Sequence, residues 1–216
     1  MRQPERLASF VFGACRLLVR NQRRGQRRRG ALLERFAGDL DRQAGPDPLR
    51  LYLAREIAFG QDGDFSWERF ETRYNADLAN NLGNLVSRVA SMAAKYRQGK
   101  LAPAKSPSDA LRTKAEESIE SYRGAMEALA IQDGAAAAYT LVNAVNEFIT
   151  ESEPWVLAKD PANAERLSQV LYDAAEATRI AAVLLLPIMP GSAAEILRRF
   201  GSDATPQTAS LSKNAV

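Results

Sequence analysis

Two side chains one helical turn apart carry the most specific chemistry in this sequence. Asn84 and Arg88 stand four residues apart within NNLGNLVSR, where apolar residues recur at threes and fours, so both emerge on one face of a helix. An amide beside a guanidinium makes a polar fork suited to the hydrogen-bonding edges of bases. Far along the chain, Glu153-Pro154-Trp155 offers an indole behind a proline, and an indole is a stacking plate for an unstacked base. Together the three point to single-stranded RNA. Taken alone, Trp155 reads more readily as a core aromatic.

Composition removes most competing chemistries. The 216 residues include no histidine, which excludes His-dependent triads, imidazole proton shuttles and His-ligated metals. The one cysteine, Cys15, permits no internal disulfide and no cysteine-based zinc site, and implies a reducing compartment. Neither a catalytic residue nor a metal site is expected. With 46% apolar residues the chain can bury a substantial core in one or two domains. The net charge of +3 is unevenly spread, because residues 1–30 hold nine arginines against the single acid Glu5, leaving the remainder at −5. Nucleic-acid contact in the body must therefore rest on a few placed residues rather than on a basic field. The longest apolar run, Leu7 to Val19, is interrupted by Gly13, Cys15 and Arg16 and falls short of the roughly 18 to 20 residues of a membrane span. It faintly resembles a leader peptide, but arginines follow where a cleavage site would stand. No membrane partner is expected.

The elements that must position the three residues read as helices throughout. Residues 1–45 are atypical: two short amphipathic stretches flank an Arg-rich run, which reads as a solvated connector or as a patch for RNA or anionic membrane. Pro46-Asp47-Pro48 opens a helix over Leu49 to Ile57, with Asp47 as N-cap and Pro48 at its first position. Gly60 and Gly63 break it. Ser66 caps a long helix from Trp67 to about Tyr96, burying Phe70, Tyr74, Leu78, Leu82, Leu85, Val89 and Met92 as one stripe. A linker with Pro103 and Pro107 follows, then a third helix from Ser108 to Ile131, a turn at Asp133-Gly134, and a fourth helix over Ala135 to Ile149 with Leu141, Val142, Val145 and Phe148 inward. A fifth helix from Pro161 to Leu186 is apolar enough in its second half to be central. Ser192 caps a last helix to Phe200, ahead of a polar tail over 201–216. The fold class is all-α, a helical bundle with short connections.

At this level of detail the sequence resembles a known family. DPLRLYLAREIAFGQDGDFSWERFETRYNADLANNLGNLVSR, then NEFITESEPWVLAK and an apolar helix ending LLPIMPGSAAEIL, strongly resembles methionyl-tRNA synthetase from about Asp47 to Phe200. The resemblance implies an irregular Arg-rich segment at 1–45, a remnant of the stem-contact region at 46–66, a helical anticodon-binding domain of the class I synthetase type at 67–200, and a flexible tail at 201–216. It implies that Asn84 and Arg88 hydrogen-bond to anticodon bases, that Trp155 stacks on the first of them, and that Pro154 aims the indole. Asn146 would hold the loop or touch RNA, and Lys159 would reach a phosphate or stay solvated. Asp62, Asp64 and Ser66 match the stretch beside the inner corner of the tRNA, where a turn and capping role is expected. Arg55 and Arg73 would either form ion pairs in the core or guide the RNA. The implied partner is tRNA(Met), in the cytoplasm.

The departures from the family define a second set of expectations. A HIGH-type motif is impossible without histidine, and no KMSKS-type loop stands ahead of Asp47. ATP and magnesium, which the full-length family uses, therefore have no place in this chain, and aminoacylation by it alone is not expected. The expectation is the C-terminal recognition half of a methionine–tRNA ligase, truncated or working with a separate catalytic polypeptide. A free-standing tRNA-binding module acting in trans, and a non-binding helical remnant of a decayed gene, are the alternatives. Codons for L-G-N-V-V-D, which often follows KMSKS, yield GQRRR when read out of frame, so a shifted frame would account for Gly25 to Arg29.

Overall fold

The computed structural model describes residues 45–57, 63, 65–102, 108–202, 204–205 and 208. The expectations for residues 1–44, for Asp62 and Asp64, for Pro103 and Pro107, and for most of the tail lie outside the described residues.

The first helix, α1, spans Pro46–Glu56, one turn earlier than its sequence signals imply. Gly45 supplies the entry with φ 73°, a conformation open to glycine, and the two prolines fill the first turn. Asp47 is not the N-cap of this helix. It is buried, and its carboxylate accepts the backbone N–H of Ser192, 145 residues away. It thereby satisfies the start of the last helix and occupies the role that Ser192 was expected to fill.

Ser66 accepts the N–H of Arg69 at 3.3 Å and starts the long helix as its sequence predicts. That helix has three parts: α2 (Trp67–Arg73), a π-helical stretch (Tyr74–Gly83) and α3 (Asn84–Arg97). The π stretch was not foreseen, and it changes which residues face inward. The buried positions run Phe70, Asp77, Leu82, Leu85, Val86, Val89, Ala93, with a step of five between Asp77 and Leu82 where an α-helix would take three or four. Tyr74, expected in the stripe, is exposed at the rim of the Phe70 ring. Gly83 permits the wide turn: a Cβ at this residue would lie 2.8 Å from the carbonyl oxygen of Leu78, five residues back. Gln98 and Gly99, both at positive φ, end the helix.

Helix α4 (Asp109–Glu127) and α5 (Ile131–Ser152) form an antiparallel hairpin. Its turn is Ala128 to Ala130, with Leu129 at φ 59°, and not Asp133-Gly134. Gly134 instead lies in the first turn of α5, where a Cβ would come within 2.9 Å of Met126 Sδ, so this glycine serves close helix approach. Glu153, at φ 44°, reverses the chain into the single turn α6 (Pro154–Leu157). A 3₁₀ turn at Pro161–Asn163, capped by Asp160, leads into α7 (Ala164–Leu185), and α8 (Pro190–Arg199) closes the described body.

Helix α7 is central, as its apolar second half implies: α3, α4, α5, α6 and α8 all pack on it, and Ala181 to Leu186 are fully buried. Each buried leucine or valine there contributes roughly 1.5 to 3 kcal/mol. Asp173 on α7 accepts the N–H of Ser108 at 2.9 Å, fixing the start of α4. A smaller cluster of Tyr52, Phe65 and Phe70, with Trp67 and Tyr74 at its rim, joins α1 to α2 through edge-on and tilted ring contacts at 5.3 to 6.2 Å. Among the described residues there is no strand, and no helix is long and apolar enough to cross a membrane.

Candidate nucleic-acid interface

The long helix and α5 run side by side in the same direction, tied at matching levels. Tyr139 donates to the carbonyl of Asp77 (3.4 Å) and the amide of Asn81 donates to Asn143 (2.8 Å), both pairs separated by 62 residues in sequence. Beyond these ties α3 also touches α5.

Asn84 is the first residue of α3, immediately after the wide turn, and its backbone N–H reaches the carbonyls of Ala79 and Asn81. Among the described residues its exposed side chain donates one hydrogen bond, to the carbonyl of Asn80 at 3.2 Å, leaving the amide oxygen and one N–H without a partner there. Arg88 is exposed one turn later. No hydrogen bond or ion pair holds its guanidinium among the described residues. On α5, a shallow open depression is lined by Asn146, Glu147, Thr150 and Glu151. Its two carboxylates disfavour a phosphate there.

Beyond the end of α5, Pro154 is buried and Trp155 is 39% exposed. The left-handed turn at Glu153 and the proline ring fix the direction in which the indole leaves the bundle. Glu153 accepts the N–H groups of Val156 and Leu157 at 2.7 and 3.1 Å, holding the turn closed. No ring among the described residues stacks on Trp155, and Val156 beside it is also exposed. Lys159 is exposed at the end of the same turn.

Asn146 is engaged within the protein. Its amide nitrogen donates to Asn81 Oδ1 at 2.9 Å and to the carbonyl of Val142 at 3.2 Å. Asn81 and Asn143 complete a ladder of three amides that sequence reading missed, although the signal was present as Asn-x-x-Asn in both helices, at 81–84 and at 143–146. The alternatives for Arg55 and Arg73 are resolved in favour of ion pairs. Asp77 pairs with Arg55 at 3.5 Å and Arg73 at 3.9 Å, and Arg73 also meets Glu56 at 2.6 Å. Arg55 lies over the ring of Tyr139 at 4.3 Å. Burial pushes the Tyr139 phenol well above its usual range, Asp77 raises it further, and Arg55 offsets part of the rise.

Residues 33–90 match the family model described as class I tRNA synthetases (M), and residues 100–214 match that of the anticodon binding domain of methionyl tRNA ligase. The methionine–tRNA ligase of Streptomyces coelicolor is 46% identical over 173 residues, covering 76% of this chain and 32% of the relative. That of Enterococcus faecalis is 38% identical over 209 residues, covering 95% of this chain and 30% of the relative. The Mycobacterium tuberculosis methionyl-tRNA synthetase, solved in complex with methionyl-adenylate, superposes with a TM-score of 0.73 at 37% identity, over 79% of this chain and 34% of that one. The chain therefore spans about a third of the length of these relatives. With the anticodon-domain model matched across more than half of its residues, this chain belongs to the methionyl-tRNA ligase family.

Proposed function

We propose that the described body recognises the CAU anticodon of tRNA(Met), with Arg88 and Asn84 bonding to base edges and Trp155 stacking on a splayed base. The observation that carries this reading is the unspent state of the site. The Arg88 guanidinium has no protein partner among the described residues, and the exposed Trp155 indole has no stacked ring. An exposed indole and a free guanidinium are what single-stranded RNA recognition requires. Lys159, exposed beyond the indole, is suited to a flanking phosphate. Such a role belongs to the cytoplasm.

ATP and magnesium find no matching donor set here. The site offers amides, one guanidinium and an indole, and the sequence has no histidine from which a HIGH-type motif could be built. These 216 residues then supply recognition, while methionine activation comes from residues or a polypeptide other than these. Gel-shift titration of the purified chain against tRNA(Met) and against a tRNA with one altered anticodon base tests the reading, alongside an aminoacylation assay. Selective binding without charging is expected. Equal affinity for both RNAs would overturn base reading, and charging would overturn the assignment of activation elsewhere.

A further inference from the structure

We infer that Asn81 is a positioning residue for base reading: its side chain clamps the wide helical turn to α5 and so sets the rotation at which Asn84 and Arg88 leave the helix. The inference rests on the proposed anticodon reading and adds a residue to it. Asn81 acts in two directions. Its amide donates to Asn143 Oδ1 at 2.8 Å and accepts from Asn146 Nδ2 at 2.9 Å, while its backbone carbonyl receives the N–H of Asn84. The residue that begins the reading face therefore hangs directly from the clamped one.

The clamp is needed because the turn beneath it departs from α geometry. Widening a single helical turn rotates everything that follows about the helix axis, and the five-residue step from Asp77 to Leu82 lies just ahead of Asn84. Leu82 and Leu85 fix this segment against the core, but apolar packing tolerates small rotations. Paired amide bonds are directional and hold one angle. Asn146 carries a further bond to Val142, so the ladder is referenced to the backbone of α5, whose far end presents Trp155. The ladder thus couples the two halves of the reading surface.

The test compares affinity of the full chain for tRNA(Met) with that for a tRNA bearing one altered anticodon base, in the wild type, Asn81→Ala, Arg88→Ala and the double variant. Asn81→Ala is expected to lower the discrimination ratio about fivefold, the equivalent of one net hydrogen bond. Because Asn81 acts through Asn84 and Arg88 together, the double variant should lose less discrimination than the product of the two single losses. A ratio unchanged by Asn81→Ala, an equal loss on both RNAs, or losses that multiply in the double variant would overturn the inference. Should Asn81→Ala fail to fold, Asn143→Ala removes half of the ladder from an exposed side chain, and an unchanged ratio there overturns it equally. Silence of Arg88→Ala would remove the anticodon reading itself, an outcome distinct from an active Arg88 beside a silent Asn81.

Discussion

Arg73 and Arg88 lie on one continuous helix, are both substantially exposed, and have opposite fates. Arg73 is held by Glu56 and Asp77, whereas Arg88, four turns later, has no protein partner among the described residues. The wide turn at Tyr74–Gly83 separates them. Ahead of it the helix is tied to α1, with Arg73 paired to Glu56 and also to the buried Asp77. Beyond it Arg97 is held by Ser168 and the carbonyl of Ala164, while Arg88 is left without a partner among the described residues. Two exposed arginines on one helix therefore differ in pairing, because carboxylates within the described residues reach Arg73 and not Arg88, and exposure alone would not separate them.

The largest effect that would sharpen this contrast is at the tied end. Asp77→Ala strands Arg55, which is mostly covered, and should cost about 3 kcal/mol of stability in a denaturant titration. A loss confined to RNA affinity would erase the distinction between the two ends. Next, Trp155→Ala should weaken tRNA(Met) binding by about 2 kcal/mol while leaving thermal unfolding almost unchanged, since the indole is already exposed. A collapse of stability instead would make Trp155 a packing residue.

The arginines themselves give a smaller and more direct comparison. Arg73→Ala should cost up to about 1 kcal/mol of stability and leave anticodon discrimination intact. Arg88→Ala should do the reverse, relaxing discrimination more than total affinity. Swapped outcomes would break the comparison. The smallest effect concerns a tied pair at the far end of the molecule, where hydrogen bonds from Arg198 and then Arg199 lower the Glu195 carboxyl to about 2. A depressed carboxyl stabilises the fold at pH above its ordinary value and loses that contribution as pH falls from there through about 2. Carboxyl NMR should show Glu195 titrating near 2, and Arg198→Ala should move it upward.

Much of the architecture was legible in residue order because helices obey local rules. The Ser66 cap, the apolar second half of α7 and the Pro154 stop all fell where side-chain chemistry set them. Errors came where a local signal had a distant use. Asp47 has the sequence signature of a cap for its own helix, yet caps α8 from the other end of the chain. Asp133-Gly134 has the composition of a turn, yet its glycine admits Met126 between two helices. Within the candidate site, Asn84 and Arg88 were legible from their spacing, Trp155 read alone as a core aromatic and was nominated by the family resemblance, and Asn146 was open between support and contact.

Residue order by itself determined that this chain is helical, and its resemblance to a family nominated an amide, a guanidinium and an indole as candidates for bases. Tertiary structure alone decided the phase of the long helix, the pairing of Arg55 and Arg73 with Asp77, and the amide ladder through Asn81. The division has a physical cause. Periodicity and capping act over three or four residues, whereas a hydrogen bond between residues 62 or 145 positions apart exists only once the helices have packed.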